Sequence, residues 1–158
     1  MTSAESASIN QIPNWSEKIA GENDPTNREI MAYQFGKEDG KNEEAESGKR
    51  LFFTNLEMCC YYSSRFYDYL TKEKQTPCEL ATIKAESINK FQALFLIDFN
   101  QYKDKQLRAD LFKAANDFRS ALKVKDVCLE INLLATTEGI DKSEIFNDGF
   151  YLQYNVNG

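Results

Sequence analysis

Histidine is absent from the 158 residues. With it go the Ser-His-Asp and Cys-His nucleophile systems, the HExxH zinc site, the Glu-x-x-His di-iron site and imidazole acid–base chemistry near neutral pH. Long apolar runs are missing too. The longest, Ala93 to Ile97, is far short of the ~20 apolar residues of a membrane-spanning helix, and Met1 to Ile12 is polar and acidic. Neither a membrane anchor nor a signal peptide is expected, and a cytoplasmic location is.

Cysteine is sparse, and the four present, Cys59, Cys60, Cys78 and Cys128, read as reduced, buried thiols of an unsecreted chain. Adjacent Cys59 and Cys60 lack the two-residue spacer of a zinc knuckle, and no histidine completes a ligand set. No metal and no cofactor are expected. Gly36-Lys37-Glu38-Asp39-Gly40-Lys41 fails as a phosphate-binding loop, with three residues between its glycines and Lys-Asn in place of Lys-Ser/Thr. Nor does the acidic run Glu43-Glu44-Ala45-Glu46 offer the alternating ligands of an EF-hand.

What is present describes a chain that folds. At 42% hydrophobic and 28% charged residues it lies far from the composition of disordered segments. Charge is segregated: residues 1–48 carry 4 basic and 10 acidic side chains, residues 49–123 carry 13 and 9, and residues 124–158 carry 2 and 6. A basic middle between acidic ends implies either self-complementation or a charged partner. Residues 1–11 have too few large apolar groups to offset their ordering entropy and read as a mobile tail, with residues 12–158 as one globular domain.

Along that domain the periodicity is mostly helical. Ile12 and Trp15–Ile19 suggest a brief helix ending at Gly21, and Asp24-Pro25 starts another. Residues 36–48 read as frayed helix or loop. Phe52, Leu56, Cys59, Ser63, Phe66 and Leu70 recur at spacings of four and three, a helix face that ends near Glu73. Thr76-Pro77-Cys78-Glu79 has the form of a helix start, with a Thr cap, Pro at the first position and Glu at the third. Leu80, Ile83, Ser87, Phe91, Leu94 and Phe95 then make a stripe, with a strand as the competing reading for Leu94–Phe99. After a break near Asn100–Asp104 comes the stripe Leu107, Leu111, Ala114, Phe118, Leu122. Finally Val127–Leu134 and Phe150–Val156 alternate as half-buried strands, around a short helix that Asp141 and Glu144 would cap. For Val127–Leu134 a helix fits nearly as well. The resulting expectation is a mainly α, bundle-like domain of four or five helices with a small C-terminal antiparallel β element, an α+β fold being the alternative.

Three groups of residues stand out. Asp98 lies in the most apolar stretch, where an unpaired carboxylate is costly; with Phe95 and Tyr102 it forms a candidate small-ligand site, Phe91 and Phe118 completing the pocket. The plainer reading is that Asp98 pairs with a buried Arg or Lys, caps a neighbouring element, or points outward near the end of its helix. Tyr61, Tyr62, Arg65 and Tyr69 combine the residue types of protein-interface hot spots on a helix too rich in aromatics to bury them all. Glu43, Glu44 and Glu46 supply an acidic surface for a basic partner. The expectation is a non-catalytic interaction protein that binds another protein, of an inhibitor, immunity or anti-defence type. Nucleic acid is not expected, because a net charge of −6 provides no attractive field. A small-ligand-binding helical domain and a histidine-independent enzyme, using Cys59 or Cys60 near Arg65, are the alternatives.

Overall fold

Phe52, Leu56, Cys59, Ser63, Phe66 and Leu70 are all fully buried, as their helical spacing requires. In the computed structural model, which describes residues 14–17, 45–137, 140, 142–150 and 152–155, all but Leu70 line helix α1, Ala45–Asp68, and Leu70 follows in the turn that continues it. The helix widens into a π-helical turn at Tyr69–Glu73, where the Lys74 amide donates to the Tyr69 carbonyl at 3.0 Å. Left-handed Gln75, φ 52, turns the chain out of it.

The segment that follows departs from the helical expectation. Cys78–Ser87 is strand β2 and Lys90–Asp98 is strand β3, an antiparallel hairpin. Pro77 precedes a strand, and the Thr76 hydroxyl donates to the Lys74 carbonyl instead of capping a helix. The apolar stripe misleads because these strands are central to the sheet. Ala81, Ile83 and Ala85, with Phe91, Ala93, Phe95 and Ile97, join the main core, while Leu80 and Leu96 are buried on the opposite face. A strand buried on both faces loses its alternation and resembles a buried helix.

Asp98 caps a single-turn helix α2, Phe99–Tyr102, and Asp104 caps α3, Lys105–Lys123, accepting from the amides of Gln106 and Leu107. The stripe read from sequence buries Leu107, Leu111 and Leu122 of α3. Strand β4, Cys128–Thr136, returns parallel to β3 in unbroken register from Lys90↔Cys128 to Asp98↔Thr136. A parallel pair needs such a crossover, which the β3–α3–β4 unit supplies. Helix α4, Lys142–Asn147, then leads to strand β5, Leu152–Tyr154, which pairs antiparallel with β2.

The remaining strand, β1, is Trp15–Glu17, paired with β5. It replaces the expected helix there: the Trp15 ring is buried, packs edge-on against Tyr154 at 5.2 Å and donates its indole N–H to Ser64 Oγ at 2.8 Å. The sheet has the order β1-β5-β2-β3-β4. The protein is thus an α/β fold on a five-stranded mixed sheet, not a helical bundle with a small β element. The expected ribbon of β4 with β5 does not form either, because β2 and β3 lie between them.

Both long helices pack on one face of the sheet. Phe66 meets Phe95 at 4.9 Å and Phe52 meets Phe91 at 5.8 Å, while Phe118 of α3 lies 6.4 Å from Phe66. Each such buried side chain contributes about 1.5–3 kcal/mol. Buried Asn55 ties α1 to the hairpin turn by donating to the Ile88 carbonyl at 3.0 Å. Among the described residues, the other face is covered at one corner, where Ile145 and Phe150 pack on Leu80 and Leu96. Beyond that corner Lys84, Gln92 and Glu130 form one register row. The expected tail at 1–11, the helix near residue 25 and the Asp141 cap lie outside the described residues.

Candidate functional site

Among the described strands β4 lies at the edge of the sheet, and its ladder fixes which of its groups point outward. The Cys128 amide donates to the Asn89 carbonyl at 2.8 Å. In a parallel ladder, alternate residues point both backbone groups at the neighbour and the intervening ones point both away. Cys128, Glu130, Asn132, Leu134 and Thr136 therefore bond to β3. Leu129, Ile131, Leu133 and Ala135 turn their N–H and C=O groups outward, where no described residue bonds them. Edge strands usually carry lysine, proline or a bulge, and β4 has none of the three. Leu134 beside the edge is 39% exposed.

The residues singled out by sequence are distributed over three places. Tyr61 is 55% exposed on the outer face of α1 and accepts a hydrogen bond from Arg65 at 3.0 Å. Tyr62 is half-buried, edge-on to Tyr61 at 5.3 Å and 5.7 Å from Phe118, which carries the aromatic surface from α1 onto α3. Tyr69 lies one π-turn further on, with Lys74 Nζ 5.7 Å from its ring centre. Glu46 is in the first turn of α1; Glu43 and Glu44 lie outside the described residues. Tyr61, Tyr62 and Arg65 are thus brought together, with Tyr69 separate.

Asp98 and Phe95 fall on opposite faces of β3. Phe95 is fully buried under α1, whereas Asp98 is exposed, its Oδ2 accepting from the Asn100 amide at 3.0 Å. Tyr102 is half-buried beneath the Arg108 guanidinium, 5.4 Å from its ring centre. Asp98 instead lines a cleft of about 440 Å³ with Pro77, Cys78, Glu79, Gln101 and Thr136. This crevice lies at the carboxyl ends of the parallel strands, where open α/β sheets commonly bind ligands. Its charges are already engaged: Asp98 caps α2, and Glu79 pairs with Lys142 at 2.6 Å, which holds its carboxyl below the ordinary value.

The thiols are placed for packing. Cys59 and Cys60 are fully buried, and burial pushes both pKa values far up; Cys78 is pushed up to about 12 by the same cause. A nucleophilic cysteine needs the opposite environment. All four are free, and no group of three or more metal-ligating side chains occurs among the described residues. No described helix is long and apolar enough to cross a membrane. Comparison with protein-family models, curated proteins and solved structures finds no match.

Proposed function

We propose that this chain is a non-catalytic interaction protein whose β4 edge takes up an extended segment of another protein. The observation that carries the reading is the nine-residue edge whose outward backbone groups at Leu129, Ile131, Leu133 and Ala135 are bonded by no described residue. Strand addition draws affinity from such main-chain bonds and specificity from side chains flanking the edge. Here those are Leu134 and Asn132 on the open face and half-buried Ile131 and Leu133 on the helix face. The Tyr61–Arg65 pair on α1 supplies a second contact of the composition found in interface hot spots. An inhibitor, immunity or anti-defence factor fits this class, since occluding a target needs a binding surface and no chemistry. The buried thiols support the non-catalytic half of the reading.

The test is capture from the native lysate followed by hydrogen exchange on the complex. The partner is expected to protect the amides of Leu129, Ile131, Leu133 and Ala135. Ala135→Pro removes one outward donor and leaves the β3–β4 ladder intact, since proline is tolerated where the N–H faces solvent. It should weaken capture about tenfold, roughly 1.4 kcal/mol, with an unchanged unfolding midpoint. A partner that binds Ala135→Pro at full affinity and protects none of the four amides would overturn the reading.

A further inference from the structure

At the opposite end of the β3–β4 pair, Asn89, Lys90, Arg119, Lys123, Asp126, Val127 and Cys128 line a second, open cleft of about 290 Å³. Lys90 starts β3, while Arg119 and Lys123 lie one turn apart on α3. None of these three cations is in an ion pair among the described residues. Lysines near a helix C-terminus ordinarily answer its unbonded carbonyls. Here the backbone has already done so. The Val127 amide donates to the Leu122 carbonyl at 3.2 Å and the Asp126 amide to the Lys123 carbonyl at 3.0 Å, the paired bonds of a Schellman cap. The cations are therefore not needed by the helix end.

The residue at the turn of that cap is the second clue. The position takes a left-handed backbone, and glycine is its usual occupant. This chain has Asp126 there, with φ 62. An aspartate tolerates this left-handed backbone and adds a carboxylate-bearing residue to the lining of the cleft. Asn89 fixes the turn, its carboxamide donating to the Asp126 carbonyl at 3.3 Å. Three cations and one carboxylate leave a net charge of +2, matching a phosphate monoester, which carries about −1.5 to −2 at neutral pH. The carboxylate repels a bare anion but accepts from a hydroxyl.

We infer that this cleft binds a small phosphate monoester carrying a neighbouring hydroxyl, with Lys90, Arg119 and Lys123 on the phosphate and Asp126 on the hydroxyl. Calorimetric titration with inorganic phosphate and with ribose 5-phosphate tests the assignment, with amide shifts read at Asn89, Lys90 and Val127. Ribose 5-phosphate is expected to bind more tightly than phosphate. Arg119→Gln should weaken both about tenfold, roughly 1.4 kcal/mol, whereas Lys105→Gln at the far end of α3 should change neither. Asp126→Gly should erase the preference for ribose 5-phosphate while keeping phosphate affinity. Failure of both probes to bind saturably, or equal binding by wild type and Arg119→Gln, would overturn the site. If Asp126→Gly retained the full preference, the role given to the carboxylate would be wrong.

Discussion

Among the described residues, β1 at one edge of the sheet presents three residues and β4 at the other presents nine. The β1 edge is anchored by Trp15, whose buried ring locks it to Tyr154 and to Ser64 of α1. The long edge has continuous register, no lysine and no proline. Sheet edges are an aggregation hazard that proteins usually blunt. Among the described residues one edge is blunted and the other is not, and the proposed partner surface rests on that contrast.

The largest effect expected follows from undoing the closed edge. Trp15→Ala removes a side chain only 3% exposed and should cost about 3–5 kcal/mol, read as a lower urea midpoint. Trp15→Phe keeps most of the ring and loses the bond to Ser64 Oγ, so it should cost about 1 kcal/mol. Were Trp15→Ala to cost less than that, β1 would not be what closes its edge, and the contrast with β4 would fail.

Alkaline pH reaches the core that supports the other edge. Cys59 of α1 interacts electrostatically with Cys128, the first residue of β4. Burial raises the folded-state pKa of Cys59, Cys60 and Cys78 above the ordinary thiol value of about 8.5. The folded protein therefore holds these protons where the unfolded chain releases them. The stabilisation is complete below about pH 8.5 and decays as pH rises toward the folded values, by about 1.4 kcal/mol per pH unit for each fully buried thiol. For Cys78 the loss is complete near pH 12, its folded value being about 12. Urea midpoints from pH 7 to 10.5 should fall accordingly. Replacing Cys59 by Ala should flatten the slope by one thiol's share, and an unchanged slope would show that this thiol does not titrate with unfolding.

How much of this was legible in the sequence follows from the range of the interactions involved. The α1 and α3 stripes depend on residues three and four apart, and the buried set from Phe52 to Leu70 lies where the period puts it. Alternation in Val127–Leu134 favoured a strand only narrowly over a helix; the segment is β4, buried mainly on one face. In the hairpin the signal failed for physical reasons: Leu80–Ile83 is buried on both faces, and the turn at Ile88-Asn89 contains no glycine or proline. Thr76-Pro77-Cys78-Glu79 supplied the local chemistry of a helix start, and tertiary pairing overrode it. The Tyr61–Arg65 pair was readable as residue types at helical spacing. The β4 edge was not, because a strand becomes an edge through strand order, which residues 78 to 154 settle jointly. The proposed phosphate cleft was hidden for the same reason, since Lys90 and Lys123 line one cleft only after β4 returns beside β3.

The smallest stability effect belongs to the bare edge and separates it most sharply from its counterpart. Leu134 is 39% exposed beside the outward groups of β4, so Leu134→Lys should move the unfolding free energy by no more than about 0.5 kcal/mol. Its effect on association should nonetheless be large, because a lysine at a sheet edge makes pairing with another chain pay a charge-desolvation cost. Capture of the partner should fall, and so should aggregation on slow heating, followed by light scattering. Ser16→Lys is the matching change at the short edge, where Ser16 is already engaged through its hydroxyl with Asn155. It should leave capture and aggregation unaltered. Equal responses from the two lysines would mean that the edges do not differ in availability, and that the length of β4 has no bearing on what this chain binds.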